Sequence, residues 1–321
     1  MMRFDPSKEL AMIYKNIIDA TGHTPLVRLN KLVEPGMAEV LVKFEGLEVG
    51  GSIKTRVAAA MIAGAEKRGL LHPDSVIVEP TSGNQGIGLS LVGAVKGYKV
   101  RIIMPDSVSE ERRKLCKAYG AEVVLVHDEG DIGKAIEECL NTALAMRDAD
   151  PEHVWVPQQF DNPDNPAAHI LETGARILFD VDGPIDGFCS GFGTGGTLSG
   201  VGRVLRTANP DMQIWAVEPE EAAILSGGMI GTHIQMGIGD GVIPKNLDRA
   251  VYDRVVIVTD EEALTTARRL AREEGLMCGI SSGTNVTAAL RMARELGEGK
   301  RVVTILPDTA ERYFSTPLFE G

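Results

Sequence analysis

Lys54 follows Gly50-Gly51-Ser52-Ile53 and precedes Val57-Ala58-Ala59-Ala60-Met61-Ile62-Ala63, a run that reads as a buried helix. Burial disfavours an ammonium, and the positive end of a helix dipole disfavours it again, so the amine pKa should fall. A lysine of that kind is a nucleophile able to form a Schiff base. The same residue can instead lay its stem along the first turn and keep its head in water. Two loops bear on the choice. Glu79-Pro80-Thr81-Ser82-Gly83-Asn84-Gln85-Gly86 passes from a strand-like run into a helix. Backbone N–H groups there, beside the Thr81 and Ser82 hydroxyls, would grip an anion such as a carboxylate, although Ser82 or Asn84 would also serve as a plain helix cap. Gly191-Phe192-Gly193-Thr194-Gly195-Gly196-Thr197 also follows a strand and opens a helix. Its glycines free backbone amides to wrap a phosphate, and its threonines add donors. It matches G-x-G-x-x-G at Gly191, Gly193 and Gly196, with Glu218 about twenty residues later, so a nicotinamide-dependent dehydrogenase stays open. A glycine-rich turn that binds nothing is the third reading.

The elements that must position these residues alternate. β-branched runs at 75–79, 100–104 and 122–127 are separated by helical patterns at 83–96, 109–119 and 131–147. A second series has strand signals at 186–190, 213–217, 254–258 and 302–306, with helices at 198–206, 260–274 and 285–296. This βα rhythm predicts parallel sheets covered on both faces. The fold class expected is α/β with two doubly wound domains, 1–150 and 151–321, joined near Asp150-Pro151. Ligand sites of such sheets lie beyond the carboxyl ends of the strands, where both loops fall.

Composition limits the partners. The 321 residues carry 33 Lys+Arg against 45 Asp+Glu, a net charge of −12, and no basic stripe, so nucleic acid is not an expected partner. No apolar run reaches bilayer length, and Met1 to Lys8 is too polar for a signal peptide, which predicts a cytoplasmic protein without membrane contact. Cys116, Cys139, Cys189 and Cys278 lack metal-ligand spacing and read as reduced and buried, with no metal site expected.

From about Tyr14 to Pro317 the chain resembles the cysteine synthase (O-acetylserine sulfhydrylase) and cystathionine β-synthase family, pyridoxal-phosphate enzymes of fold type II. Four stretches carry most of the resemblance: the Lys54 segment, Thr81-Ser82-Gly83-Asn84, Gly193-Thr194-Gly195-Gly196-Thr197 and Gly279-Ile280-Ser281-Ser282-Gly283. Pro157-Gln158-Gln159-Phe160, Gly237-Ile238-Gly239 and Leu306-Pro307-Asp308 are similar to further family stretches. The dehydrogenase reading leaves Lys54 and the Thr81 loop without a role.

The resemblance implies pyridoxal 5'-phosphate as cofactor, with Lys54 holding it as an internal aldimine and then acting as base at the substrate Cα. It implies that Asn84 meets the phenolic oxygen and that Gly193, Thr194, Gly195, Gly196 and Thr197 hold the phosphate. Ser281 would face the ring nitrogen, where a neutral hydroxyl favours β-elimination over transamination. Thr81, Ser82, Gln85 and Gln159 would bind the carboxylate of a small amino-acid substrate. β-Replacement in sulfur amino-acid metabolism follows, and a homodimer. The chain departs from the family pattern at Glu48-Val49, Thr55, Gln85 and Asp240. Asp240-Gly241 reads either as a tight turn or as a catalytic carboxylate at the cleft. In the second case the carboxylate repels bisulfide, and the reaction shifts toward L-cysteine as substrate, releasing hydrogen sulfide and forming serine or lanthionine.

Overall fold

The structure, a computed structural model, describes residues 13–130, 132–228 and 230–320. Met1 to Lys8 and Asp131, both read above, lie outside the described residues. In chain order the elements are β1 (Leu26–Arg28), β2 (Glu39–Phe44), α1 (Lys54–Lys67), β3 (Val76–Pro80), α2 (Asn84–Lys96), β4 (Lys99–Pro105), α3 (Glu110–Ala118), β5 (Glu122–Val126), α4 (Ile132–Ala149) and β6 (Val154–Trp155). They continue with α5 (Asp164–Ala168), α6 (Ala175–Asp180), β7 (Gly187–Gly191), α7 (Gly196–Ala208), β8 (Gln213–Pro219), β9 (Arg254–Val258), α8 (Asp260–Arg269), α9 (Ile280–Leu296) and β10 (Arg301–Leu306).

Two sheets result. One runs β5-β4-β3-β6, all parallel; the other runs β1-β2-β10-β7-β8-β9, parallel except for the antiparallel edge strand β1. Strand alternation sends successive side chains to opposite faces, which gives each sheet two cores. In the smaller sheet Ile77 and Ile102 pack with Ala58, Ile62 and Ile87, whereas Val78 and Ile103 pack with Cys139 and Ala143. In the larger, Val302 joins Val286 and Ala289 while Val303 joins Leu198 and Val201. The two doubly wound layers follow from that alternation. All four cysteines are free and buried.

The expected cut at Asp150-Pro151 does not follow the sheets. β2 pairs with β10 in the register Glu39↔Arg301 to Phe44↔Leu306, so the first 44 residues supply two strands to the larger sheet. β6, beyond 151, completes the smaller one through Val76↔Val154 and Ile77↔Trp155. Chain order marks a change of series, but main-chain pairing decides sheet membership. Other differences are local. Helix α9 begins five residues earlier than its apolar periodicity signalled, and the helix at 260 passes into a π-turn at Leu270–Glu274. A second wide turn, His169–Gly174, joins α5 to α6 in a stretch where no element was predicted. Among the described residues no helix is long and apolar enough to cross a membrane.

Candidate active site

Lys54 is the first residue of α1. Its approach is fixed by main chain, since Ile53 N–H donates to Pro307 O at 2.9 Å and Ser52 bridges Asp308. The Arg312 guanidinium holds the glycines ahead of it, donating from Nη1 to Gly51 O (2.6 Å) and Thr309 Oγ1 (2.8 Å) and from Nη2 to Gly50 O. The lysine keeps part of its surface open to a cleft. Desolvation lowers its pKa to about 8, while the Asp240 and Glu79 carboxylates pull the other way. The depressed amine expected from the helix start is present, with burial as its chief cause.

The loop after β3 faces it. Thr81 Oγ1 accepts the Gly83 N–H at 3.2 Å, which leaves the hydroxyl hydrogen for a ligand. Neither Ser82 nor Asn84 caps α2 with a side-chain oxygen, so the plain capping reading fails. Asn84 Nδ2 donates to Asp308 Oδ2 at 2.6 Å; its second hydrogen remains, and its Oδ1 is buried without a partner. Gln85 is 1% exposed, its Nε2 lies 3.6 Å from Met61 Sδ, and its Oε1 has no partner. The amide is turned toward α1 more than the sequence suggested.

On the opposite wall, the 193–197 loop opens α7. Gly195, at φ +75°, adopts the left-handed conformation that glycine takes without penalty, and a Cβ there would sit 2.8 Å from Leu247 backbone. Gly193 admits a close approach of Asp240, because a Cβ would lie 2.7 Å from Asp240 Oδ2 and from Gly237 O. Thr194 Oγ1 accepts from Asn165 Nδ2 at 2.9 Å, and Thr197 Oγ1 meets His169 Nε2 at 3.3 Å. His169 is buried and its pKa is driven well down by desolvation, so it adds no charge. Asp240 accepts no hydrogen bond among the described residues, and burial raises its carboxyl pKa against the pull of Lys54 and His233. His233 Nε2–H donates to Gly239 O at 3.0 Å while its Nδ1 accepts the Gln235 N–H at 3.1 Å, which fixes the tautomer and the turn carrying Asp240.

One cleft is therefore lined by Lys54, Thr81, Ser82, Asn84, Gln85, Gln159, Thr194, Asp240 and Ser281. A narrower recess beside it brings Lys54 to Gly193, Thr194, Gly195 and Thr197. Gly196 lines neither; it is buried with its Cα against Asn165. Ser281, 3% exposed, stands in the first turn of α9. Glu218, which a dinucleotide site would need free, is fully buried and accepts from Leu225 N, Ser226 N and Ser226 Oγ. That removes one of the two observations on which the dehydrogenase reading rested and leaves it only the glycine spacing.

Sequence reasoning missed three residues here. Glu79 is a buried carboxylate in β3, one residue before the cleft-lining Pro80, and its only signal was an acid ending a β-branched run. Arg112 was read only as part of the 109–119 helix, with no role, yet it is 3% exposed, lies 4.9 Å from the Tyr313 ring centroid and has an unpartnered Nε. Asp308 receives both Asn84 Nδ2 and the Tyr313 O–H.

The donor set fits a phosphorylated aldehyde. A low-pKa amine, an amide-lined recess shaped by glycines, an unfilled Asn84 amide and a buried serine hydroxyl converge from separate loops.

Comparison with known proteins agrees. The family described as "Pyridoxal-phosphate dependent enzyme" matches residues 17–308. A cysteine synthase of Staphylococcus aureus (strain Mu50 / ATCC 700699) is 48% identical over 306 residues, covering 95% of this chain and 96% of that protein. Among solved structures, O-ureido-L-serine synthase superposes with a TM-score of 0.90 at 42% identity, covering 97% of this chain and 96% of the other. A hydrogen sulfide-producing enzyme from Fusobacterium nucleatum does so with 0.89 at 39%, covering 94% and 100%. Likeness of this extent, over nearly the whole chain, places the protein in the family of pyridoxal-phosphate-dependent enzymes, among the cysteine synthase-like members of fold type II.

Proposed function

We propose that this protein replaces the β-substituent of a small L-amino acid, running on L-cysteine with release of hydrogen sulfide and forming serine or lanthionine. The observation that carries this reading is Asp240, a carboxylate without a hydrogen-bond partner among the described residues, in the same cleft as Lys54. Cysteine plus water gives serine plus hydrogen sulfide, and cysteine plus cysteine gives lanthionine plus hydrogen sulfide. In both, the incoming nucleophile must lose a proton. A carboxylate of raised pKa can take it, while its charge repels bisulfide. Synthesis of cysteine from O-acetylserine is the second reading, favoured by the 48% identity to a cysteine synthase.

The roles follow by position. Lys54 Nζ would hold the cofactor and then move the Cα proton. Residues 193–197 would take the phosphate with N–H groups and threonine hydroxyls, Ser281 would meet the ring nitrogen, and Asn84 the phenolic oxygen. Thr81, Ser82, Gln85 and Gln159 orient the substrate carboxylate. The bound cofactor supplies an electron-withdrawing ring that acidifies the Cα–H and lets the β-substituent leave. We read the protein as a cytoplasmic homodimer acting on small molecules; sedimentation showing only monomer at micromolar concentration would oppose the dimer.

The test is a substrate panel read by mass spectrometry. Lanthionine or serine from cysteine alone, faster than cysteine from O-acetylserine and sulfide, supports the reading; the reverse order makes ordinary cysteine synthase the better description.

A further inference from the structure

Glu79, near the end of strand β3 just before the Thr81 loop, is fully buried. Its two oxygens take the N–H groups of consecutive residues: Oε2 from Gln158 at 2.9 Å and Oε1 from Gln159 at 3.0 Å. Gln158 is the one non-glycine residue with positive φ among the described residues, at +56°. A side-chain-bearing residue in that conformation is strained, and such strain persists only where the surroundings enforce it. The carboxylate enforces it here, because two successive N–H groups converge on one acceptor group only if the chain turns sharply at Gln158. The turn is braced from its other side as well. Gln158 O accepts from Asp161 N and Asn162 N, both at 2.9 Å, and Gln159 O accepts from Asn165 Nδ2 (2.8 Å) and Asn246 Nδ2 (2.9 Å). With both of its peptide groups held, Gln159 lines the cleft together with the Thr81 loop.

We propose that Glu79 is a positioning residue for substrate recognition: ionised, it holds the Gln158-Gln159 turn in the strained form that presents Gln159 to the amino-acid carboxylate, and protonated, it lets that turn go. The inference rests on reading Gln159 as a substrate contact. A neutral carboxyl carries one O–H, a donor, so it cannot accept well from two N–H groups at once. One of the two then loses its acceptor.

The environment puts this change in reach of ordinary pH. Burial raises the Glu79 pKa to about 7, against the two N–H groups and Lys54, which favour the charged form. The charged group acting on it is Lys54, from α1. On the same face of the sheet α1 and α2 contribute apolar Ala58, Ile62 and Ile87, β4 sets Ile102 beside it, and the 157–159 turn brings backbone N–H groups.

Two measurements on the cofactor-loaded protein test this. Amide NMR across pH 5.5–8.5, as an order-of-magnitude window around neutrality, should show the Gln158 and Gln159 N–H resonances moving together, upfield as pH falls, because they lose a charged acceptor. Independently, KM for L-cysteine should rise below neutral pH, and Glu79→Gln should raise it about tenfold and flatten that dependence, with a smaller effect on kcat. Amide shifts flat across the range overturn the clamp. Titrating amides with an unchanged KM overturn the proposal at its other end, by removing Gln159 from the substrate site. The NMR titration needs no variant, so a Glu79→Gln protein that fails to fold leaves the test intact.

Discussion

Asn84 Nδ2 donates to Asp308 Oδ2 at 2.6 Å, which ties the loop after β3 to the loop after β10 and so joins the two sheets across the cleft. The same oxygen accepts the Tyr313 O–H at 2.8 Å, and that hydroxyl's pKa is raised by burial and the adjacent carboxylate. Asp308→Ala leaves two buried donors without an acceptor and should cost about 3 kcal/mol, each orphan contributing about 1–3. Denaturant unfolding measures it. In a cycle with Asn84→Ala the coupling should reach about 1–2 kcal/mol; strict additivity would show that the contact carries no energy.

A second expectation concerns the buried cation in the first turn of the Lys54 helix. Arg56 Nη2 meets Glu45 Oε2 at 2.7 Å and Glu48 Oε2 at 2.9 Å, all with almost no solvent exposure. Glu48 also accepts the Gly22 N–H at 2.9 Å, which gives that departure from the family pattern a structural role. Arg56→Met strands the carboxylates and should cost about 3–5 kcal/mol. A loss below about 1 kcal/mol, the size of a surface pair, would contradict the network.

Uptake of pyridoxal phosphate by the stripped protein should depend on pH through Lys54. The neutral amine reacts, and with its pKa lowered to about 8 it is mostly protonated at pH 7 and mostly neutral at pH 9. The uptake rate should therefore rise about tenfold between those values and level off above them. A rate still climbing steeply toward pH 10.5 would mean that the amine is not depressed.

Asp240→Asn keeps the shape of the turn and removes the base. Sulfide release from cysteine should fall about tenfold to a thousandfold, with cofactor uptake largely unchanged. Release as fast as in the parent would reduce Asp240 to a turn residue.

Much of this was legible along the chain. The βα alternation gave the layers, and the two loops stood out because hydroxyls and glycines at strand ends have few structural uses. What stayed hidden depends on distance in sequence. β1 has three residues, too few for a period, and β2 finds β10 about 260 positions away, which no local pattern encodes. Glu79 looked like the polar end of a strand because its partners, Gln158 and Gln159, are met only on folding. Arg112 drew no attention because the Tyr313 ring beside it comes from the far end of the chain.

The most direct test of the whole account is to load the protein with pyridoxal phosphate, reduce it with borohydride, digest it and locate the label by mass spectrometry. The phosphopyridoxyl mass is expected on Lys54 alone, with the visible absorbance of the holoprotein lost on reduction; label on another lysine, or none, would contradict it.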